Sequence, residues 1–297
     1  MSQKFLVSGE ELFLWRRESL SNSLAAGIAT QELDWLLQEM TDIDALSLRL
    51  QSFRDRSTIP LHCSFSELKI LWERRINERV PVQYLAQTTN WRNFQLMVAP
   101  GVLIPRPETE LIIEIAQKAI LPEVAISHWV DLGTGTGAIA LGLASCFPQA
   151  KIHAVDVSDT ALAIAQENAQ LTKLQDRINF YHGSWWQPLN HLKGQVTAML
   201  SNPPYIPTQE LPDLQPEVFR HEPHLALDGG DDGLAAIRYL IKTAPEYLIS
   251  GGIWLIEMMA GQGEKVVTML SEQGDYRDIQ IIRDLSQIER FVLAYRS

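Results

Sequence analysis

Asn202-Pro203-Pro204-Tyr205 is the stretch of this 297-residue chain whose residue types and spacing point most directly to chemistry. It lies in AMLSNPPYIP, residues 198–207, where a strand is predicted to end. Two consecutive prolines donate no ladder hydrogen bond, so a central strand cannot run on through them. They stiffen the backbone and fix the direction of the Asn202 side chain and of the neighbouring carbonyls. The Asn202 side-chain oxygen and the Pro203 carbonyl can accept from the two N–H groups of a carboxamide or an aromatic amine. Tyr205 offers a flat face to such a planar group. A nitrogen of this kind has a delocalised lone pair and is a poor nucleophile. Orienting it, and stabilising the charge it develops during attack on an activated methyl group, is what such a loop can contribute. No strong base is required, because the nitrogen becomes more acidic once alkylated. No Ser-His-Asp arrangement is evident near this segment, and no Cys/His metal spacing.

A second motif, VDLGTGTGAIALGLA at residues 130–144, runs from a predicted strand through Gly133, Thr134, Gly135, Thr136 and Gly137 into an apolar helix. Glycines let the backbone turn sharply and let a ligand approach closely. A loop of this kind at the C-terminal edge of a sheet often binds a nucleotide. The next strand, KIHAVDVS, ends on Asp156, where a carboxylate can accept both hydroxyls of a ribose. A helix cap is the plainer reading of Asp156. The GTGTG spacing differs from the G-x-G-x-x-G of a dinucleotide turn. S-adenosylmethionine carries no pyrophosphate and needs no helix-terminal anion site, so it is favoured over NAD. A third loop holds Gly183, Ser184, Trp185 and Trp186. An aromatic there can flank an adenine, and Ser184 can meet its amine. A core position is the plainer reading of each tryptophan.

These loops need elements to hold them. Strands are expected at 128–132, 152–156, 178–182, 196–201, 252–258, 278–283 and 290–296, with helices at 137–145, 159–171, 232–248 and 262–273. Short Val/Ile-rich strands alternating with helices indicate an α/β, Rossmann-like sheet of mostly parallel strands covered on both faces. Only DLSQIE separates the last two strands, so that pair should be antiparallel. Residues 10–80 read as a small helical bundle, with a capping box at Ser64 and Glu67 and a last helix that ends before Pro81. Residues 90–104 read as a hairpin. The chain is thus expected to divide into a helical substrate-recognition domain (1–85), a hairpin linker (86–104) and a catalytic domain (105–297).

The formal charge of −11 argues against DNA as the main partner. Arg74, Arg75 and Arg79 are the densest basic group and read as a solvated helix face. No run of 18 apolar residues appears, so no membrane span is expected, nor is a cleaved leader. Cys63 and Cys146 read as reduced structural thiols of a cytoplasmic protein. No metal is expected, and a monomer is.

With these motifs in place, the sequence resembles the protein-(glutamine-N5) methyltransferases that modify peptide chain release factors. The matching segments are RVPVQYL (79–85), GVLIPRPETE (101–110), DLGTGTGAIAL (131–141), AVDVS (154–158), NPPYI (202–206) and EP-x-x-AL followed by GGDDG (222–233). LIPRPETE discriminates best, because NPPY alone is shared with adenine-N6 nucleic-acid methyltransferases, the competing reading. The resemblance implies S-adenosylmethionine as methyl donor and a Gly-Gly-Gln glutamine of release factors as acceptor. It implies Gly133 to Gly137 and Asp156 at the cofactor, and Trp185 beside the adenine. Asn202 would serve both cofactor and substrate sites, and Asn202 to Tyr205 would hold the glutamine. Arg106 and Glu108 would lie near the cleft. The chain departs from the family pattern at Gln87, where glycine is usual, at Met259, and in DLSQIERF, which lacks a loop glycine.

Overall fold

Strand and helix alternate along the chain as the apolar pattern requires. The computed structural model describes residues 5–120 and 128–297. Residues 1–4, the start of the segment read for a leader, and 121–127 lie outside the described residues. Two compact units form, Met1–Thr88 with Pro216–His221, and Thr89–Gln215 with Glu222–Ser297.

In the first unit, β1 (Phe5–Val7) pairs antiparallel with β2 (Ile59–Leu61). Around this pair lie α1 (Gly9–Ala25), α2 (Thr30–Met40), α3 (Ala45–Leu50), α4 (Phe65–Asn77), α5 (Val82–Ala86) and the short α9 (Pro216–His221). Each start has its local cause. Ser8 accepts from the Glu11 amide, Asp44 from that of Ser47, and Ser64 with Glu67 closes a complete capping box. Leu12, Leu33, Leu36, Leu37, Phe53 and Trp72 are buried together as the core. Burial of each such side chain contributes about 1.5–3 kcal/mol.

The basic group is not the solvated face that its sequence suggests. Arg74 is exposed and pairs with Glu78, but Arg75 is only 3% exposed. Its guanidinium meets both oxygens of Glu32 at 2.6 and 2.9 Å and Glu217 at 2.8 Å, and Arg79 reaches Glu217 at 2.7 Å. A buried cation of this kind needs its carboxylates. They come from α2 and α9, far away in sequence, so a local reading cannot see them.

The second unit is built on one sheet of seven strands. In chain order these are β5 (His128–Leu132), β6 (Lys151–Asp156), β7 (Ile178–His182), β8 (Val196–Ser201), β9 (Leu248–Glu257), β10 (Tyr276–Arg283) and β11 (Glu289–Arg296). The spatial order is β10-β11-β9-β8-β5-β6-β7, with β11 antiparallel to both its neighbours and the remaining pairs parallel. This is the Rossmann-like, mostly parallel sheet with an antiparallel final strand that the pattern predicts. Alternate residues serve opposite faces. Ile253 and Leu255 pack with α6 (Leu111–Ala119) and α7 (Ala138–Cys146), whereas Trp254 and Ile256 pack with α10 (Ala235–Thr243) and α11 (Gly263–Gln273). The remaining helix, α8 (Asp159–Leu171), follows β6.

The hairpin, β3 (Thr88–Trp91) and β4 (Phe94–Met97), buries Trp91 and Leu96 in this unit's core. One residue staples it there. Asn168 of α8 is fully buried, accepts from the Met97 amide at 2.6 Å, and donates to the carbonyls of Met97 and Thr136. The helix expected over 232–248 ends at Thr243 and tightens into a 3-10 turn at Ala244–Glu246 around Pro245. Two of the family departures fall where the backbone is left-handed, Gln87 at φ 58° and Gln287 of DLSQIERF at φ 65°. Each carries a strain that glycine would avoid. Among the described residues, no helix is long and apolar enough to cross a membrane.

Candidate active site

The strand order reverses between β5 and β8: the chain passes from β5 outward to β6 on one side, and later returns to β8 on the other. Ligands of open α/β sheets sit at such a switch, beyond the carboxyl ends of the strands. A cavity of about 380 Å³ opens there within the second unit. Its size is that of a small-molecule site.

The Gly-rich loop forms one wall. Gly133 and Gly135 have φ of 76° and 55°, and the Gly133 and Thr134 amides both donate to the Val155 carbonyl. The loop is therefore sewn to the end of β6. Thr134 Oγ1 donates to Asp131 at 2.6 Å, and the Ala140 amide donates to the same oxygen at 3.1 Å. Asp131 is completely buried, and burial pushes its carboxyl up to about 7. Gly133, Thr134, Gly135 and Thr136 line the cavity. Gly137 does not. It starts α7 at φ 83°, where a Cβ would stand 3.1 Å from that of Ala165, so it permits close helix packing.

Asp156 lines the cavity at the end of β6. Its two oxygens accept from the Gly135 and Ser158 amides, each at 2.9 Å. Burial raises its pKa against these bonds. A carboxylate has about four acceptor positions, so Asp156 keeps capacity for a diol. Ser184 and Trp185 also line the cavity. The tryptophan pair divides. Trp185 is half-buried against the Gly-rich loop, 3.7 Å from where a Gly133 Cβ would be, with its backbone at φ 51°. Trp186 is 1% exposed and stacks on Tyr247 with centroids 4.3 Å apart. An acceptor pair for a ribose, a half-buried indole and a glycine-lined wall fit the nucleoside end of S-adenosylmethionine.

Asn202 and Pro204 line the same cavity, whereas Pro203 is buried, and Tyr205, next along the chain, is half-buried and outside the cavity lining. The Asn202 amide nitrogen donates to Thr109 Oγ1 at 3.3 Å, and Thr109 donates to Glu257 Oε2 at 2.6 Å. The Tyr205 hydroxyl donates to the other Glu257 oxygen at 3.2 Å. Glu257, the last residue of β9, is 1% exposed, and burial raises its pKa. Burial and the neighbouring Glu257 carboxylate push the Tyr205 phenol well above its usual range, so it keeps its proton. Gln262 completes the support by donating to the Tyr205 carbonyl at 3.0 Å.

Arg106 lines the cavity and grips both oxygens of buried Glu222 at 2.8 and 2.7 Å, whereas Glu108 is exposed and does not line it. Thr109, next in sequence after Glu108, does line it. Sequence reasoning missed Thr109, Glu257, Gln262, Glu222 and Asn168. The one available signal was polar residues on apolar elements: Glu257 ends the strand GGIWLIE, and Thr109 precedes the stripe LIIEI.

A family model described as methyltransferase small domain matches residues 108–231. A release factor glutamine methyltransferase of Synechocystis sp. is 57% identical over 294 residues, covering 98% of this chain and 98% of that protein. Another, of Thermosynechococcus vestitus, is 48% identical over 290 residues, covering 97% of this chain and 99% of its own length. Among solved structures, the hMettl16 catalytic domain superposes with a TM-score of 0.56 at 14% identity, covering 88% of each chain, a likeness of fold alone.

Proposed function

The chain belongs to the release factor glutamine methyltransferase family, and from that premise we propose that it transfers a methyl group from S-adenosylmethionine to the side-chain amide nitrogen of the Gly-Gly-Gln glutamine of peptide chain release factors. The observation that carries the reading is Asn202. Its side-chain amide lines the same cavity as Asp156 and the Gly-rich loop, and its nitrogen is already committed to Thr109. Its oxygen is therefore the end available to an N–H of the substrate amide.

S-adenosylmethionine, when bound, supplies an electrophilic methyl group on a sulfonium. Gly133 to Thr136 would shape the wall that receives it, Asp156 would accept from the ribose, and Ser184 and Trp185 would meet the adenine. On the acceptor side, the Asn202 oxygen and the Pro203 carbonyl take the two N–H groups of the glutamine. Tyr205, its hydroxyl fixed on Glu257, packs its ring against the amide plane. Held in this way, the nitrogen points its weak lone pair along one direction, and the carbonyl partners stabilise the positive charge that grows on it. The helical unit, residues 1–85 in this reading, engages the release factor outside its glutamine. The reaction belongs in the cytoplasm, where termination occurs, and the protein acts as a monomer.

Incubation with methyl-labelled cofactor and purified release factor tests the reading. Label is expected on the release factor. Label on nucleic acid, with none on protein, would overturn it in favour of an adenine-N6 activity.

A further inference from the structure

Which end of the Asn202 amide faces the cavity is decided two hydrogen bonds away, at Glu257. The oxygen and nitrogen of an asparagine look alike in shape, so their hydrogen-bond partners fix the assignment. Among the described residues, Asn202 meets one such side-chain partner, Thr109 Oγ1 at 3.3 Å. A hydroxyl has one proton and two lone pairs. Thr109 spends its proton on Glu257 at 2.6 Å, the shorter of its two bonds. Only lone pairs then remain for Asn202, which must turn its NH2 toward Thr109 and its oxygen into the cavity.

We propose that Glu257 is a positioning residue for methyl transfer, setting through the Thr109 hydroxyl which end of the Asn202 amide the substrate meets. The proposal rests on the glutamine-methylating reading above. With Glu257 ionised, both its oxygens accept, one from Thr109 and one from Tyr205. Asn202 then presents an acceptor to the substrate N–H. A proton arriving from solvent on the oxygen that faces Thr109 makes Glu257 a donor. The Thr109 proton swings to Asn202, whose oxygen turns to receive it. Its NH2 now faces the cavity, donor against donor with a substrate amide. The chain of bonds thus has a working direction and a reversed one.

The charges around Glu257 set where the reversal falls. Burial favours the protonated form, and so does the Glu108 carboxylate. The bonds from Thr109 and Tyr205 and the Arg290 guanidinium on β11 favour the ionised form. Arg290 is itself held by Asp284 at 2.7 Å. Burial is the largest of these influences, so the acidic limb of turnover lies above the ordinary carboxylate range. Turnover is present above that limb and lost as pH falls through it.

The test uses the full chain with release factor as substrate. Turnover, KM and cofactor affinity are measured across the acidic range for wild type, Thr109→Val, Thr109→Ser and Glu257→Gln. Thr109→Val is expected to lower kcat by about tenfold or more, with cofactor affinity unchanged, since one charge-linked hydrogen bond in the transition state is lost. It should also lose the acidic limb. Thr109→Ser, which keeps the hydroxyl, should restore most of the rate and the limb. Glu257→Gln should follow Thr109→Val. If Glu257→Gln does not fold, the two threonine variants carry the comparison. A Thr109→Val enzyme with wild-type kcat, or one that keeps the limb, overturns the proposal. A second readout needs no turnover. The side-chain 15N amide resonances of Asn202 in the cofactor-free protein should titrate with the limb in wild type and stay flat in Thr109→Val. Flat resonances in wild type overturn the relay. Failure of wild type to methylate release factor would instead remove the functional reading, leaving the titration to report on the relay alone.

Discussion

Two buried carboxylates stand on either side of β8, Asp131 near the end of β5 and Glu257 at the end of β9. Each accepts a threonine hydroxyl at 2.6 Å beneath a loop of the cavity. What differs is where the threonine comes from and what it does next. Thr134 lies three residues from Asp131, and its bond closes a turn of the Gly-rich loop on itself. Thr109 lies 148 residues from Glu257, and its oxygen passes on to Asn202. The cofactor side is a local backbone structure. The acceptor side is a side-chain relay assembled from separate parts of the chain. A local carboxylate can do its work neutral, as a strut. A relay depends on which partner holds the proton.

The contrast can be broken first at Asn202. Asn202→Ala should cost on the order of 10²-fold in kcat while leaving cofactor affinity near wild type, as for loss of one transition-state hydrogen-bond partner. Single-turnover kinetics with a parallel calorimetric titration measures both quantities. Equal losses in the two would mean that the halves are not separable.

Asp156→Ala should act on the other half. Loss of hydrogen bonds to a charged acceptor should weaken cofactor binding by roughly tenfold or more. Calorimetry with S-adenosylhomocysteine reads this directly, and an unchanged dissociation constant would remove the ribose role.

Tyr205 separates ring from hydroxyl. Tyr205→Phe keeps the ring and removes one donor to Glu257. It should lower kcat by only about 2- to 10-fold, the worth of one modest hydrogen bond, and Tyr205→Ala should lower it further. Identical rates for the two variants would deny the ring any part.

The smallest effect is expected in the stability of Asp131. Its folded-state pKa is raised by burial to about 7, above the usual carboxylate value of 3.8. The folded state therefore holds this proton more tightly than the unfolded state does. The associated stability is fully present below the unfolded pKa and is lost as pH rises through the folded one. Asp131→Asn has no such titration. Its Tm should gain on wild type as pH rises from 3.8 to about 7 and stay level above. A constant difference in Tm across that range would mean that Asp131 is ionised throughout.

The same contrast explains what could be read in advance. The seven strands are short apolar runs bounded by glycine, proline or acidic residues, and the structure places all seven where the pattern does, with β9 beginning four residues earlier, at Leu248. The Gly-rich loop and Asp156 are legible because a strand, a turn and a helix follow one another in 27 residues from Val130 to Asp156. The β1–β2 pair was not legible. Each strand has three residues, and Pro60 sits in the middle of the second. Nor was α5, a five-residue helix that begins just after Pro81, the residue expected to end helical structure. Thr109, Glu257 and Gln262 carried no local signal, because their meaning lies in partners that only the fold supplies. Arg75 is the same case in the helical unit, read as surface and found buried between Glu32 and Glu217.

The proposed methyl acceptor is one atom, the side-chain nitrogen of a glutamine. A tandem mass spectrum of release factor after incubation with the enzyme and S-adenosylmethionine identifies both the residue modified and the group that carries the methyl. A single methyl is expected on the side-chain amide nitrogen of the Gly-Gly-Gln glutamine, absent when Asn202→Ala replaces wild type in a time-matched reaction. A methyl found on any other residue, or an unmodified glutamine beside methylated nucleic acid, would contradict it.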